Sequence, residues 1–180
     1  NNALLYKGKP SIREKEYGIW QTLTWDNYYK RAIILAIGLK DAGLKRGEKL
    51  AIIGDNRPNL YLSIAAAQIL GAVPVPCYQD SVADELQYIL EHAEVKIAIV
   101  ENQEQVDKLL EIKSKLPLLK SIFFDDPRGL ENYNESDITA LDEVFKKYNS
   151  LNVSLDNEID KTSKEDISIM LYTSGTTGRP

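Results

Sequence analysis

Lys49-Leu50-Ala51-Ile52-Ile53-Gly54, followed at once by Asp55-Asn56-Arg57-Pro58, decides the fold class. A short apolar run bounded by polar residues and closed by turn formers reads as a buried strand ending in a turn. The pattern repeats downstream. A helix is expected over about Leu60 to Leu70 and a second short strand over Val73 to Pro76. A helix over Val82 to His92 follows, opened by Ser81 with Asp84 three residues on, and then a third strand over Lys96 to Val100. Gln103 to Leu116 and Ser121 to Phe124 repeat the helix-then-strand order. Short apolar strands alternating with longer helices imply parallel βαβ units with both sheet faces covered.

Upstream of this run, Thr24 offers an N-cap hydroxyl, and Tyr29, Ala32, Ile33, Ala36 and Leu39 follow at the three- to four-residue spacing of a helix face. Gly43 stands where that helix should stop. Before it, Ala3 to Tyr6 and Ser11 to Trp25 mix β-branched and aromatic residues with Gly8, Pro10 and Gly18, which predicts short strands and turns. The expected fold is therefore α/β, a mostly parallel sheet flanked by helices, with a small N-terminal β layer. Asp125 to Ser163, rich in Asp, Asn, Glu and Lys, reads as an exposed excursion carrying one helix near Ala140 to Tyr148.

Composition narrows the function classes. The chain has 180 residues, 43% hydrophobic and 27% charged, a globular balance; a chain this long buries roughly 70% of its extended surface. With 22 basic against 27 acidic residues and no basic window carrying interleaved aromatics, nucleic acid is not an expected partner. One cysteine, Cys77, excludes an intramolecular disulfide and a Cys-based zinc cluster, which fits a reducing, cytoplasmic setting. Tyr61 to Cys77, the longest apolar stretch, is interrupted by Ser63, Gln68, Gly71, Pro74 and Pro76, whereas a membrane span needs about 20 apolar residues. Peripheral membrane contact has no supporting basic amphipathic helix. The first residue is Asn1 and the last, Pro180, falls inside a loop, so truncation at both ends is expected.

The chemistry sits at the end. Ile167-Ser168-Ile169-Met170-Leu171-Tyr172 reads as a strand, and it empties into Thr173-Ser174-Gly175-Thr176-Thr177-Gly178-Arg179-Pro180. From Thr173 to Gly178 every residue is a glycine or carries a hydroxyl. Gly175 and Gly178 allow close backbone approach, so that successive N–H groups can converge on an anion, and the four hydroxyls add donors. A Ser/Thr/Gly-rich surface turn has the same composition. Placement after a buried strand favours the ligand site, because ligands of open α/β sheets bind beyond the carboxyl ends of strands. The spacing is not that of a Walker loop.

Tyr172 to Pro180 resembles the phosphate-loop signature of the adenylate-forming superfamily, which holds acyl-CoA synthetases, peptide-synthetase adenylation domains and luciferases. The resemblance extends over nearly the whole chain, through Trp20 to Trp25, Gly43 to Asp55 and Gly71-Ala72-Val73-Pro74-Val75-Pro76. Pro76 to Asp80 followed by Tyr88 to Val95 is most similar to long-chain fatty acid–CoA ligases. It implies that residues 1–180 are the N-terminal portion of an AMP-binding domain. The implied reaction joins a fatty acid to the α-phosphorus of Mg-ATP and then passes the acyl group to CoA, with ATP, Mg2+ and CoA as substrates or cofactor. An acyl-AMP ligase loading a carrier protein, or a non-catalytic nucleotide-binding module, is the alternative. By the same resemblance Thr173, Ser174, Gly175, Thr176, Thr177 and Gly178 hold the β- and γ-phosphates, with Arg179 positioning or facing solvent. The family's adenine segment, ribose aspartate, magnesium glutamate and catalytic lysine have no counterpart here, so the chain alone is expected to be inactive.

Other residues have plainer readings. His92 suits a helix C-terminus, Asp55 to Pro58 suit either a cleft wall or an Asx turn, and Asp125-Asp126 suit exposed loop carboxylates better than a metal site. Trp20 and Trp25 are expected to pack, and Cys77 to be a small core or loop residue.

Overall fold

Lys49–Ile53 forms β3, buried from Leu50 onward, and it lies inside the sheet with a parallel neighbour on each side. The computed structural model describes residues 1–150 and 154–173. Along the chain stand α1 (Asn2–Leu5), β1 (Pro10–Glu16), β2 (Ile19–Thr24), α2 (Trp25–Asp41), β3, α3 (Pro58–Ile69) and β4 (Val73–Cys77). Then come α4 (Ala83–His92), β5 (Ile97–Val100), α5 (Gln103–Ile112) with a 3-10 turn at Lys113–Lys115, β6 (Ser121–Phe124), β7 (Ile138–Ala140), α6 (Leu141–Tyr148) and α7 (Asp156–Ile159). The expected fold class is what forms: β4-β3-β5-β6-β7 is an all-parallel sheet, and β1 and β2 pair as a separate antiparallel hairpin.

Strand alternation builds two cores. Leu50, Ile52, Ile97, Ile99 and Phe123 face α2, α3 and α6 on one side. Ala51, Ile53, Val75, Ala98, Val100 and Ile122 face α4 and α5 on the other. Right-handed crossovers explain the division: α3 carries the chain from β3 outward to β4, and the next crossovers run the opposite way, so their helices fall on the opposite face.

Several local expectations give way. Asn2–Leu5 is one helical turn rather than a strand. Thr24 holds the N-cap position of α2, but its hydroxyl donates to Asp26 Oδ1 at 2.6 Å and caps no backbone N–H. Val82, not Ser81, holds the N-cap position of α4, and its apolar side chain makes no capping bond. Helix α5 stops at Ile112, short of Leu116. Trp20 is exposed on the hairpin because a two-stranded ribbon has no second layer to bury it, while Trp25 packs edge-on against Tyr28.

The excursion expected over 125–163 is interrupted by structure that belongs to the fold. Ile138–Ala140 adds a fifth strand beside β6. Leu141, Val144, Phe145 and Tyr148, spaced three and four apart, seat α6 in the core beside α2. The helix expected near Ala140 to Tyr148 is therefore present; its burial is what the polar composition hid, since four apolar residues on one stripe suffice to bury a short helix.

Residues 167–173 form no strand. β4 is the sheet edge, and Val73 N–H donates inward to Glu48 O at 2.8 Å, so the alternate residues Pro74 and Pro76 face outward. Prolines there leave carbonyl acceptors and no donors. Met170 N–H donates to Pro74 O at 3.0 Å, but the return bond from residue 76 is chemically impossible. Half a ladder is not a strand. The segment keeps the alternation all the same, with Met170 and Tyr172 packed inward against the second core and Ile167 and Leu171 exposed.

Candidate functional site

Strand order reverses between β3 and β5, and the carboxyl ends of those strands bound a cleft of about 640 Å³. This is where open α/β sheets take ligands. Gly54 follows β3 and lies against Glu101, which lines the cleft; a Cβ there would stand 2.5 Å from Glu101 Cβ and 2.7 Å from Leu60 Cδ1, so glycine lets the two strand ends close up. Glu101, only 8% exposed, accepts the Asp55 backbone N–H at 2.6 Å and Arg57 Nε at 3.0 Å. Arg57 Nη1 donates to Glu14 on β1 at 2.7 Å, and the bonds from Glu14 and Glu101 hold its guanidinium well above the usual arginine range.

A second chain of contacts lies alongside. Arg31 donates to Asn59 Oδ1 at 3.0 Å, and Asn59 Nδ2 donates to Asp125 Oδ1 at 2.5 Å. Burial pushes the Asp125 carboxyl up. Asp126 is held down by its pairing with Arg128. Neither aspartate is an exposed loop carboxylate as expected; both are half-buried, since β6 delivers them into the cleft. Of Asp55 to Pro58 only Arg57 lines the cleft, while the segment makes a local turn, with Asn56 N–H on Asp55 Oδ1 at 2.7 Å.

Electrostatics decide what the cleft can hold. Six lining side chains are carboxylates and three are basic, and the most buried carboxylate is already satisfied. Polyphosphate would be repelled here. Among the described residues no group of three or more His, Cys, Asp or Glu could hold a metal ion. The cleft is an internally paired clamp joining β1 to the β3, β5 and β6 ends.

The chain reaches the hydroxyl-rich loop by another route. Gln68 Nε2 donates to Ser168 O at 2.9 Å, Met170 bonds to Pro74 as above, and the Tyr172 hydroxyl lies 2.7 Å from His92 Nδ1. Residues 168 to 172 thus travel beside β4 toward its carboxyl end. His92, the last residue of α4, stacks on Tyr88 at 5.8 Å between ring centres and meets Tyr172 edge-on at 5.7 Å. Burial raises the Tyr172 phenol. Thr173 is exposed; Ser174, Gly175, Thr176, Thr177, Gly178 and Arg179 lie outside the described residues. The cysteine is buried at the end of β4, where desolvation pushes its thiol up to about 12, no state for a nucleophile.

Sequence reasoning missed Glu14, Glu101 and the His92–Tyr172 pair. The first two carry no local signal, because they meet Arg57 only through the sheet. The third had one: prolines two apart in a strand mark an edge without outward donors, so whatever runs beside it needs side-chain anchors.

The family described as AMP-binding enzyme matches residues 2–180. Long-chain-fatty-acid–CoA ligase ACSBG2 of Homo sapiens is 29% identical over 173 residues, covering 95% of this chain and 26% of that protein. Long-chain-fatty-acid–CoA ligase ACSBG1 of Rattus norvegicus is 29% identical over 162 residues, 89% of this chain and 22% of that protein. The chain therefore spans about a quarter of the length of the curated relatives it matches. Among solved structures, the anthranilate CoA ligase AuaEII in complex with anthranoyl-AMP superposes with a TM-score of 0.83 at 21% identity, over 99% of this chain and 32% of that one. The luciferase-like enzyme from the Zophobas morio mealworm gives 0.72 at 19% identity, over 89% and 35%. These two likenesses establish the fold.

Proposed function

Because the chain belongs to the AMP-binding enzyme family, we propose that it is the N-terminal part of an adenylate-forming ligase that activates a fatty acid with ATP and transfers the acyl group to CoA. One observation carries this reading. The Thr173–Gly178 run of hydroxyls and glycines follows directly on a segment travelling to the carboxyl end of a parallel sheet.

In the first step a carboxylate oxygen attacks the α-phosphorus, and pyrophosphate leaves with the electrons of the broken P–O bond. In the second, the CoA thiol adds to the acyl carbonyl and AMP departs. Both partners in the first step are anionic, so the protein must supply fixed donors rather than a nucleophile. Thr173, Ser174, Thr176 and Thr177, with the backbone N–H groups at Gly175 and Gly178, are the groups proposed to hold the β- and γ-phosphates. Mg2+ supplies charge neutralisation on the phosphate oxygens, and no residue of this chain is assigned to it. The acidic clamp at the switch point has the wrong charge for the nucleotide and serves as scaffold.

The test is fatty-acid-dependent exchange of labelled pyrophosphate into ATP by the full-length protein, followed by thioester formation with CoA or with a carrier protein. Exchange with thioester on CoA is expected. Exchange with transfer only to carrier protein would replace the CoA ligase by an acyl-AMP ligase, and absence of exchange would overturn the enzymatic reading. The 180-residue chain by itself is expected to show none.

A further inference from the structure

The approach to the loop is held at three points spaced two residues apart. Two of them use the backbone of the segment, at Ser168 O and Met170 N–H, and would survive any side chain at those positions. The third does not. It joins the Tyr172 hydroxyl to His92 Nδ1 at 2.7 Å, and it lies one residue from Thr173.

The edge strand makes this bond matter. Pro76, the last outward-facing residue of β4, has no N–H to give, so no backbone donor of β4 is offered to the segment beyond the Pro74 contact. Without the side-chain link, the last hydrogen-bonded anchor before the loop would be Met170, and Tyr172 would keep only its packing against the second core. The imidazole is itself fixed, stacked on Tyr88 four residues earlier on α4 with an interplanar angle of 22°.

The geometry points to His92 as a positioning residue for the phosphate loop: by binding Tyr172 it sets the place and direction in which the chain leaves the sheet edge for Thr173–Gly178. This rests on the phosphate-binding reading of that loop. In this role His92 acts through Tyr172. With the proton on Nε2 the ring accepts from the phenol, and with the proton on Nδ1 it donates, so either neutral tautomer maintains the link.

His92 can be followed by its imidazole resonances, identified by their loss in His92→Ala, and Gly175 and Gly178 by their backbone amides. The probe is inorganic tripolyphosphate titrated into the full-length protein. In the unsubstituted protein the two glycine amides and the His92 ring should respond with one common dissociation constant. His92→Ala should weaken that constant about two- to tenfold, the range of one hydrogen bond of ordinary net strength. His92→Asn, whose amide reaches the Nδ1 position, should recover most of it, which a general loss of helix stability would not. Tyr172→Phe should cost the same as His92→Ala, and the double variant no more than either single one.

Equal affinity in the unsubstituted and His92→Ala proteins would overturn the positioning role while leaving the loop as a phosphate site. Losses that add in full in the double variant would overturn it as well, because the two residues would then act separately. No response of Gly175 and Gly178 in the unsubstituted full-length protein would refute the phosphate reading and the inference built on it.

Discussion

Replacing Glu101 tests whether the switch-point cleft is a structural clamp. The side chain is 8% exposed and makes two bonds, to the Asp55 N–H at 2.6 Å and to Arg57 Nε at 3.0 Å. Alanine leaves the Asp55 N–H without its acceptor, and a hydrogen bond to a charged group is worth about 1.5–3 kcal/mol. The Arg57 bond adds less, about 0–1 kcal/mol, since that side chain is 41% exposed and keeps Glu14. Glu101→Ala should therefore cost about 2–4 kcal/mol. Glu101→Gln, which keeps an acceptor oxygen but not the charge, should cost about half as much. Urea unfolding followed by far-UV circular dichroism reads both, and with a slope of about 2 kcal/mol/M the alanine midpoint should fall by roughly 1–2 M. An alanine variant within about 0.5 kcal/mol of the parent would sink the clamp, as it would mean that solvent or an unseen ligand already satisfies the Asp55 N–H. Equal costs for alanine and glutamine would assign the effect to charge rather than to the acceptor.

Leu141, fully buried at the start of α6, should cost about 2–5 kcal/mol on truncation to alanine in the same assay, whereas a residue of an exposed excursion would cost almost nothing. Cys77, with its thiol near 12, should react with Ellman's reagent at pH 8 only as fast as the chain opens, so labelling should accelerate across the urea transition and not before. Glu158 is lowered from 4.5 to about 2, first by its bond to Lys40 and then by Lys161. A depressed carboxyl stabilises the fold above its unfolded value, and here that contribution should fade as pH falls from about 4.5 toward 2. A carbon-13 titration of the Glu158 carboxyl should show the low midpoint, and Lys40→Met should move it upward.

The parallel sheet was legible because its strands are buried on both faces. Such a strand must be apolar throughout, and Leu50 to Ile53 and Ile97 to Val100 announce it without reference to anything distant. β7 was not legible. Ile138-Thr139-Ala140 is three residues long, and only the neighbouring β6 makes it a strand. The reverse error at Ile167 to Tyr172 has the same origin: alternation describes the segment correctly, but a strand is a property of two chains, and β4 withholds its half of the bonds.

The hydroxyl and glycine loop and the alternation of strand and helix are local properties, since residue type limits backbone conformation and burial wherever the residue stands. From these the sequence by itself determined an α/β sheet and a hydroxyl- and glycine-rich run following its last apolar stretch. Tertiary structure alone decided the strand order, and hence that Glu101, Arg57 and Glu14 meet at the reversal between β3 and β5. It also decided that Tyr172, 80 residues from His92 along the chain, approaches the loop on that imidazole. Contacts at such separations depend on which edges and faces come together, and no single stretch of sequence encodes that.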